Sequence, residues 1–216
     1  ILESDFGLKK SKKEPNPTLF AVTNLMHQMN NNLVVFYKLI SDGFSFQANL
    51  IFRSIIEQGS TIFAILLNNK FLEEFKRNGD IQAPDEKLKH WRNNLSPGKI
   101  NSILEKGYSE IESLQIFKEP FFEFKKWLYQ DSSEFVHSQF LPSLMSSYSS
   151  KKDDENFIDS NIVGRIDSNI ERVCLRAIPY FNLFFDNFIK ILIAQYDYRF
   201  GDSNKDEGVK LWLIHK

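Results

Sequence analysis

Two side chains of opposite charge lie four residues apart in an otherwise strongly apolar segment, Arg53 and Glu57. Residues at this spacing are neighbours on one face of an α-helix, so the guanidinium and the carboxylate can pair. A guanidinium that is held in place can bind an anion, and a carboxylate beside it can act as an acid or a base. The alternatives are an ordinary solvated ion pair, or an enclosed pair that only fixes the register of two helices.

The rest of that helix face carries small or uncharged side chains, namely Asn49, Ser60, Thr61, Ala64 and Asn68. A fully solvated face of this length typically carries more than two charges, and small side chains admit a neighbouring helix. The pattern therefore favours a pair that is buried or faces a cleft.

A second candidate for chemistry is His137, which Ser133 precedes by one helical turn. Histidine is the side chain whose ordinary pKa lies near neutrality, so it could carry a proton in a reaction. The alternative is a histidine that hydrogen-bonds a helix neighbour or a helix end.

The Arg-x-x-x-Glu pattern on an apolar helix, followed downstream by Ser-Glu-Phe-Val-His at 133–137, resembles a bacterial family known only as a domain of unknown function. That family is helical and is distantly similar to HEPN domains and abortive-infection proteins. The similar region covers roughly 46–139. The resemblance implies that Arg53, Glu57 and His137 converge in one polar site, and it suggests bacterial stress or phage defence as the context.

One departure from the HEPN pattern concerns catalysis. The ribonucleases of that group resemble one another in an Arg that is followed four to six residues later by a His on the same helix. In this sequence Arg92 has no nearby His after it, and no Arg precedes His137 at that distance. Ribonuclease activity of that type is therefore not expected.

No cofactor or metal site is predicted. The sequence has no glycine-rich phosphate loop, and its four histidines show no metal-ligand spacing with each other or with Cys174. Glu134 and His137 match the Glu-x-x-His spacing of helical di-metal sites once, but such a site requires a second copy.

Caps, breaks and helical periodicity predict an all-α fold, an irregular bundle of about six to eight helices. A first helix is expected over 17–41, and the candidate residues are expected on helices over 45–69 and from Pro120 onward. A last long helix is expected over 157–198. Its portion 181–193 is apolar on nearly all sides and is predicted to be the central core helix. No strand is predicted before the C-terminal tail.

The chain is expected to have one domain with two appended ends. Residues 1–16 contain four lysines and are predicted to be a flexible basic leader, and 17–200 are predicted to be a single helical domain with a mobile loop near 143–156. Residues 201–216 form an apolar tail that packs on the body or on a partner. A homodimer through 209–216 is therefore one open alternative.

The charge balance argues against a nucleic-acid binder. The chain has 27 Lys and Arg against 28 Asp and Glu, and they are spread along it rather than gathered in a basic stripe. One cysteine leaves no intrachain disulfide, which is compatible with a reducing compartment. The uninterrupted apolar runs are shorter than the roughly 20 residues of a membrane span. We therefore expect a cytoplasmic protein that does not enter a membrane.

Three functions follow from these patterns. The leading hypothesis is a non-enzymatic helical module that binds a partner protein or assembles with itself, since no catalytic motif is present. The first alternative is a nuclease-like or phosphate-handling enzyme that uses Arg53, Glu57 and His137. The second is a small-ligand-binding bundle, because helices rich in Phe, with 21 copies here, can enclose an apolar cavity.

Overall fold

A computed structural model describes residues 16–116, 118–136, 148–151, 154–160 and 168–196. For 132–136, the two strands and 168–169 it describes the backbone alone. Most of the predicted leader and the whole predicted tail lie outside these ranges. The fold is all-α, as predicted. Its elements are α1 (Pro17–Ser41), α2 (Ser45–Leu67), α3 (Asn69–Asp80), α4 (Pro84–His90), a π-helical turn (Trp91–Leu95), α5 (Pro97–Glu110), α6 (Glu112–Gln115), α7 (Lys118–Val136), β1 (Tyr148–Lys151), β2 (Asp154–Ser160) and α8 (Ser168–Tyr196).

Helix α1 begins and ends where the sequence predicts. The Asn16 side chain accepts hydrogen bonds from the backbone amides of Thr18 and Leu19, at 2.9 and 3.4 Å, and Pro17 occupies the first turn, where its missing N–H is not needed. At the other end Gly43 has a φ of 79°, a left-handed conformation that favours glycine and turns the chain into α2.

Helix α2 is the centre of the molecule. It contacts α1, α3, α5, α7 and α8. Because small residues are spread around it, neighbouring helices can approach from several directions. Its fully buried side chains include Ala48, Ile55, Ile56, Ile62, Ala64 and Ile65.

The expectation that 181–193 form the central core helix is wrong. Phe185 and Ile193 in this part of α8 are 42% and 49% exposed. Helix α8 contacts α2, α6, α7 and β1, and these contacts leave both side chains exposed. The apolar sequences of α2 and α8 both indicated a buried helix, but only α2 has helical neighbours on several sides.

The contact between α2 and α8 is close because Gly59 has no side chain. A Cβ at this position would meet the Tyr180 hydroxyl and would approach the Phe184 ring to 3.1 Å. Phe184 stacks on Phe63, with ring centroids 5.0 Å apart, and Tyr180 meets Phe52 edge-on at 5.7 Å. These aromatic pairs form the core between the two helices.

The helices that follow α2 in sequence, from α3 to α5, pack beside it. The π-helical turn extends α4 and ends at Ser96, whose extended backbone precedes Pro97. His90, at the end of α4, is 2.7 Å from a carboxylate oxygen of Glu74 and 3.2 Å from the Asn78 side-chain oxygen, so it joins α4 to α3.

The segment before α8 differs from the prediction. Strands β1 and β2 pair antiparallel in a stretch where the sequence indicated a loop near 143–156 and no strand. Residues 157 and 158, expected to begin the last helix, lie in β2, and α8 begins at Ser168. Alternation of polar and apolar residues is weak in this short hairpin, so its pattern is difficult to distinguish from a loop.

Candidate functional site

Arg53 and Glu57 form the predicted pair. The Arg53 Nε donates to Glu57 Oε1 at 3.0 Å, and the side chains are 16% and 48% exposed. Helix α7 supplies a third member: Arg53 Nη2 donates to the Tyr129 hydroxyl at 2.9 Å, and the guanidinium carbon lies 4.6 Å from the centroid of the Tyr129 ring. The pair is thus partly enclosed by a neighbouring helix.

Two buried polar atoms at this pair have no hydrogen-bond partner among the residues that the structure describes. They are Arg53 Nη1, a donor, and Asn49 Oδ1, an acceptor. Asn49 lies one turn before Arg53 on the same helix face, is 3% exposed, and uses its Nδ2 to donate to the Ser45 carbonyl. A free donor and a free acceptor one turn apart can hold one ligand group, or a water molecule, that both accepts and donates.

The positions of the other two predicted residues are only partly described. Arg53 contacts Tyr129 and Phe63 contacts Phe121, so α2 and α7 run antiparallel. The α7 backbone therefore carries Ser133 one turn beyond Tyr129, towards the level of Asn49 and away from Glu57. His137 lies outside the described residues. Convergence of His137 with the Arg53–Glu57 pair stays a prediction.

A buried lysine in α7 was missed by the sequence reasoning. Lys125 is 8% exposed, its Nζ donates to Asn101 Oδ1 at 2.8 Å, and burial lowers the pKa of its ammonium to about 8. Helical spacing could have indicated its burial, because Lys125 shares a helix face with the apolar residues Phe121 and Leu128, which are buried.

Helices α7 and α8 are joined by a second enclosed cation. Arg176 is 5% exposed, pairs with Asp131, and its guanidinium carbon lies 5.2 Å from the ring centroid of Trp127. This cluster uses the Arg176 side chain to connect two helices, and Trp127 in it is half exposed. We assign it a structural role.

No metal centre is indicated in the part of the chain that the structure describes, because no three His, Cys, Asp or Glu side chains there are grouped closely enough to hold an ion.

One side of α8 carries four exposed large apolar side chains. Leu175, Ile178, Phe185 and Ile193 are 65%, 61%, 42% and 49% exposed. Together with the half-buried Ile189 and the polar Asn182 they recur every three or four residues, so they form one stripe along the helix. We call these six residues the α8 stripe.

Two helices pass a test of length and composition for crossing a membrane, namely α2 and 170–196 of α8. The uninterrupted apolar runs are short, but the helices that contain them are not. Of the tested windows, 56% in α2 and 39% in α8 are buried inside the protein, and a core helix passes the same test. The cytoplasmic location and the absence of membrane contact stay predictions.

Comparisons with known proteins leave the site to be interpreted from its own geometry: no protein family, no curated protein and no solved structure matches this chain.

Proposed function

We propose that this protein is a non-enzymatic helical interaction module that self-associates through the α8 stripe. The observation that carries the proposal is the exposure of four large apolar side chains in a continuous line on the longest helix of the described chain. Burying one such side chain contributes roughly 1.5–3 kcal/mol, and monomeric proteins rarely expose large contiguous apolar patches.

The partner we propose is a second copy of the chain. Asn182 lies at the midpoint of α8, with Leu175 and Ile178 on one side and Phe185 and Ile189 on the other. If two copies cross at this residue, Asn182 meets its own counterpart on the two-fold axis. A side-chain amide both donates and accepts, so two asparagines satisfy each other, whereas a purely apolar partner would leave Asn182 without hydrogen bonds. A single Asn in an apolar helix seam sets register in this way.

The predicted apolar tail and the biological context are separate parts of the proposal. A contribution of 209–216 to the dimer is supported by the composition of that segment, and the stress or phage-defence context by the resemblance alone. Neither is needed for association through the α8 stripe.

The test is the mass of the protein in solution as a function of concentration. We expect light scattering and sedimentation equilibrium to give a monomer–dimer equilibrium for the natural chain. Ile178→Asp should abolish the dimer, because an unpaired charge would be buried at the interface. The Ile178→Asp monomer should unfold at the same temperature as the natural chain does at concentrations where that chain is monomeric, since Ile178 is mostly exposed within one copy.

The matched control is Val34→Asp, which places the same charge at a half-exposed apolar position on α1, away from the α8 stripe. It should dimerise as the natural chain does. A natural chain that stays monomeric at every concentration, or an Ile178→Asp variant that dimerises normally, would contradict the proposal.

A second candidate function is favoured by the free donor on Arg53. Nη1 is a buried guanidinium nitrogen that has no hydrogen-bond partner in the described part of the chain, so an anionic oxygen is the chemical group that would accept its hydrogen bond. This supports a phosphate-handling site in which Glu57, and His137 if it joins them, act as acid and base.

Hydrolysis of a phosphodiester or a phosphomonoester by the purified chain tests this second candidate. Arg53→Lys keeps the charge but loses the fork of donors, and it should lower the rate by roughly tenfold or more. Arg92→Lys, at an exposed position, is the control. Absence of activity in the natural chain, or equal activity in Arg53→Lys, would eliminate it.

A further inference from the structure

We propose that the groove between the start of α3, the π-helical turn and α5 binds a small phosphate-bearing molecule with an apolar body. The groove has a volume of about 720 Å³, within the range of small-molecule sites. Its polar lining includes Lys70, Lys99, Lys106, Asn93, Asn94 and Ser102. The inference does not depend on self-association.

The charges of the groove favour an anion. Its acidic residues already have cationic or histidine partners: Glu74 is 2.7 Å from the His90 ring nitrogen, and Glu110 is 3.7 Å from Lys106 Nζ. Lys70 and Lys99 line the same groove, and no ion pair of either lysine occurs among the described residues. These two ammonium groups have no carboxylate partner there, and the three lysines of the lining outnumber its two glutamates. Phosphate is the anion that lysines bind as point charges.

The π-helical turn adds neutral donors to these cations. It presents two successive asparagines, Asn93 and Asn94, to the groove. Regular α-helices rarely contain such turns, and they occur frequently at functional sites. The turn lies between His90, which is held by α3, and Pro97, which begins α5, so both of its ends are fixed.

The floor of the groove is apolar. Leu67 and Ile103 line it, and Gly107 packs so closely on Leu67 that a Cβ there would lie 2.7 Å from the Leu67 side chain. A ligand with an aromatic or aliphatic part beside its phosphate would bury that part here, with side-chain amides available for its polar edges. The first amides of α3 do not contribute, since the Asn68 side chain already accepts from Lys70 and Phe71.

Calorimetric titration with adenosine monophosphate and with inorganic phosphate tests the proposal. The nucleotide should bind saturably and more tightly than phosphate, and the side-chain amide signals of Asn93 and Asn94 should shift in nitrogen–proton spectra. In Lys70→Ala/Lys99→Ala affinity for the nucleotide should fall by about tenfold or more, because two charge-assisted contacts are lost.

The control is Lys87→Ala, which removes an exposed lysine of α4 that does not line the groove, and which should bind as the natural chain does. Thermal unfolding of each variant establishes that it is folded. No saturable binding of either probe, or unchanged affinity in the double variant, would overturn the proposal. Equal affinity for phosphate and for the nucleotide would show that the apolar floor contributes nothing to binding. A shift confined to amides outside the groove would show that the ligand binds elsewhere.

Discussion

At the scale of single residues, burial changes the ionisation of Lys125. Its ammonium is buried against α5 with one neutral partner, the Asn101 oxygen, while the Glu105 carboxylate offsets part of the burial. The pKa falls from 10.5 to about 8 because water no longer solvates the charge. At neutral pH the folded protein therefore holds a charge that the unfolded chain would solvate better.

This predicts that stability rises with pH. Between about 8 and 10.5 the unfolded state binds more protons at Lys125 than the folded state does, so the free energy of unfolding increases across that window. The full effect is about 3 kcal/mol. Urea unfolding at pH 7 to 9.5 measures the lower part of it. Higher pH is avoided because burial raises the pKa of Tyr108 and of Tyr180, which gives the opposite slope.

Lys125→Met should remove this slope and should stabilise the protein at pH 7, since an apolar side chain of similar length replaces a buried charge. Lys126→Met, at the neighbouring exposed position, should leave the slope unchanged. A Lys125→Met protein that keeps the natural rise in stability would show that another group causes it.

The residue scale also shows why the candidate site could be predicted only in part. Arg53 and Glu57 meet because helical spacing alone makes them neighbours. Tyr129 completes the cluster from 76 residues away in sequence, and no spacing rule links it to Arg53. Its partnership depends on the register of α2 on α7, which is set by packing along the whole contact.

At the scale of elements, the two helices α2 and α8 approach closely at Gly59, where Tyr180 also donates a long hydrogen bond, 3.4 Å, to the Ile56 carbonyl. A methyl group at Gly59 would displace the Tyr180 hydroxyl and press on Phe184. Packing and the helix preference of alanine therefore act in opposite directions here.

Gly59→Ala should destabilise the protein by about 1–3 kcal/mol, because overpacking outweighs the gain of up to about 1 kcal/mol in helix propensity. Gly98→Ala in α5 is the matched comparison, since a Cβ there meets nothing within 4 Å, and it should stabilise by about 0.5–1 kcal/mol. Urea unfolding of both variants measures the difference. A Gly59→Ala protein as stable as Gly98→Ala would mean that α8 can move away from α2 at little cost.

Element boundaries were predictable where a local signal exists. Asn16-Pro17 starts α1, Asp42-Gly43 ends it, and Pro97 starts α5, although the Ser96 side chain before Pro97 makes no capping hydrogen bond. The assignment of 157 and 158 to the last helix failed, because both residues lie in β2 and the sequence pattern does not reveal that β2 pairs with β1. The π-helical turn was also not predicted, since its backbone hydrogen bonds span only one residue more than those of an α-helix.

At the scale of the whole molecule, the all-α class followed from sequence but the arrangement of the helices did not. Both α2 and α8 contain windows apolar enough to cross a membrane, and composition cannot say which helix is surrounded. Packing decides: α2 has five helical neighbours, whereas α8 keeps the α8 stripe in solvent within one copy. The proposed function therefore came from the structure's departure from a prediction rather than from a motif.

Because α2 is the central helix, it is synthesised well before one of the helices that cover it. Its covering helix α8 begins about 100 residues after α2 ends, and ribosomes add roughly 5–20 residues per second, so α2 waits about 5–20 seconds for that cover. Helices α1, α3, α5 and α7 are made before α8 and can cover other sides of α2, but the side that α8 covers stays exposed throughout this interval. We expect nascent chains of this protein to depend on factors that shield apolar segments at the ribosome until α8 is made.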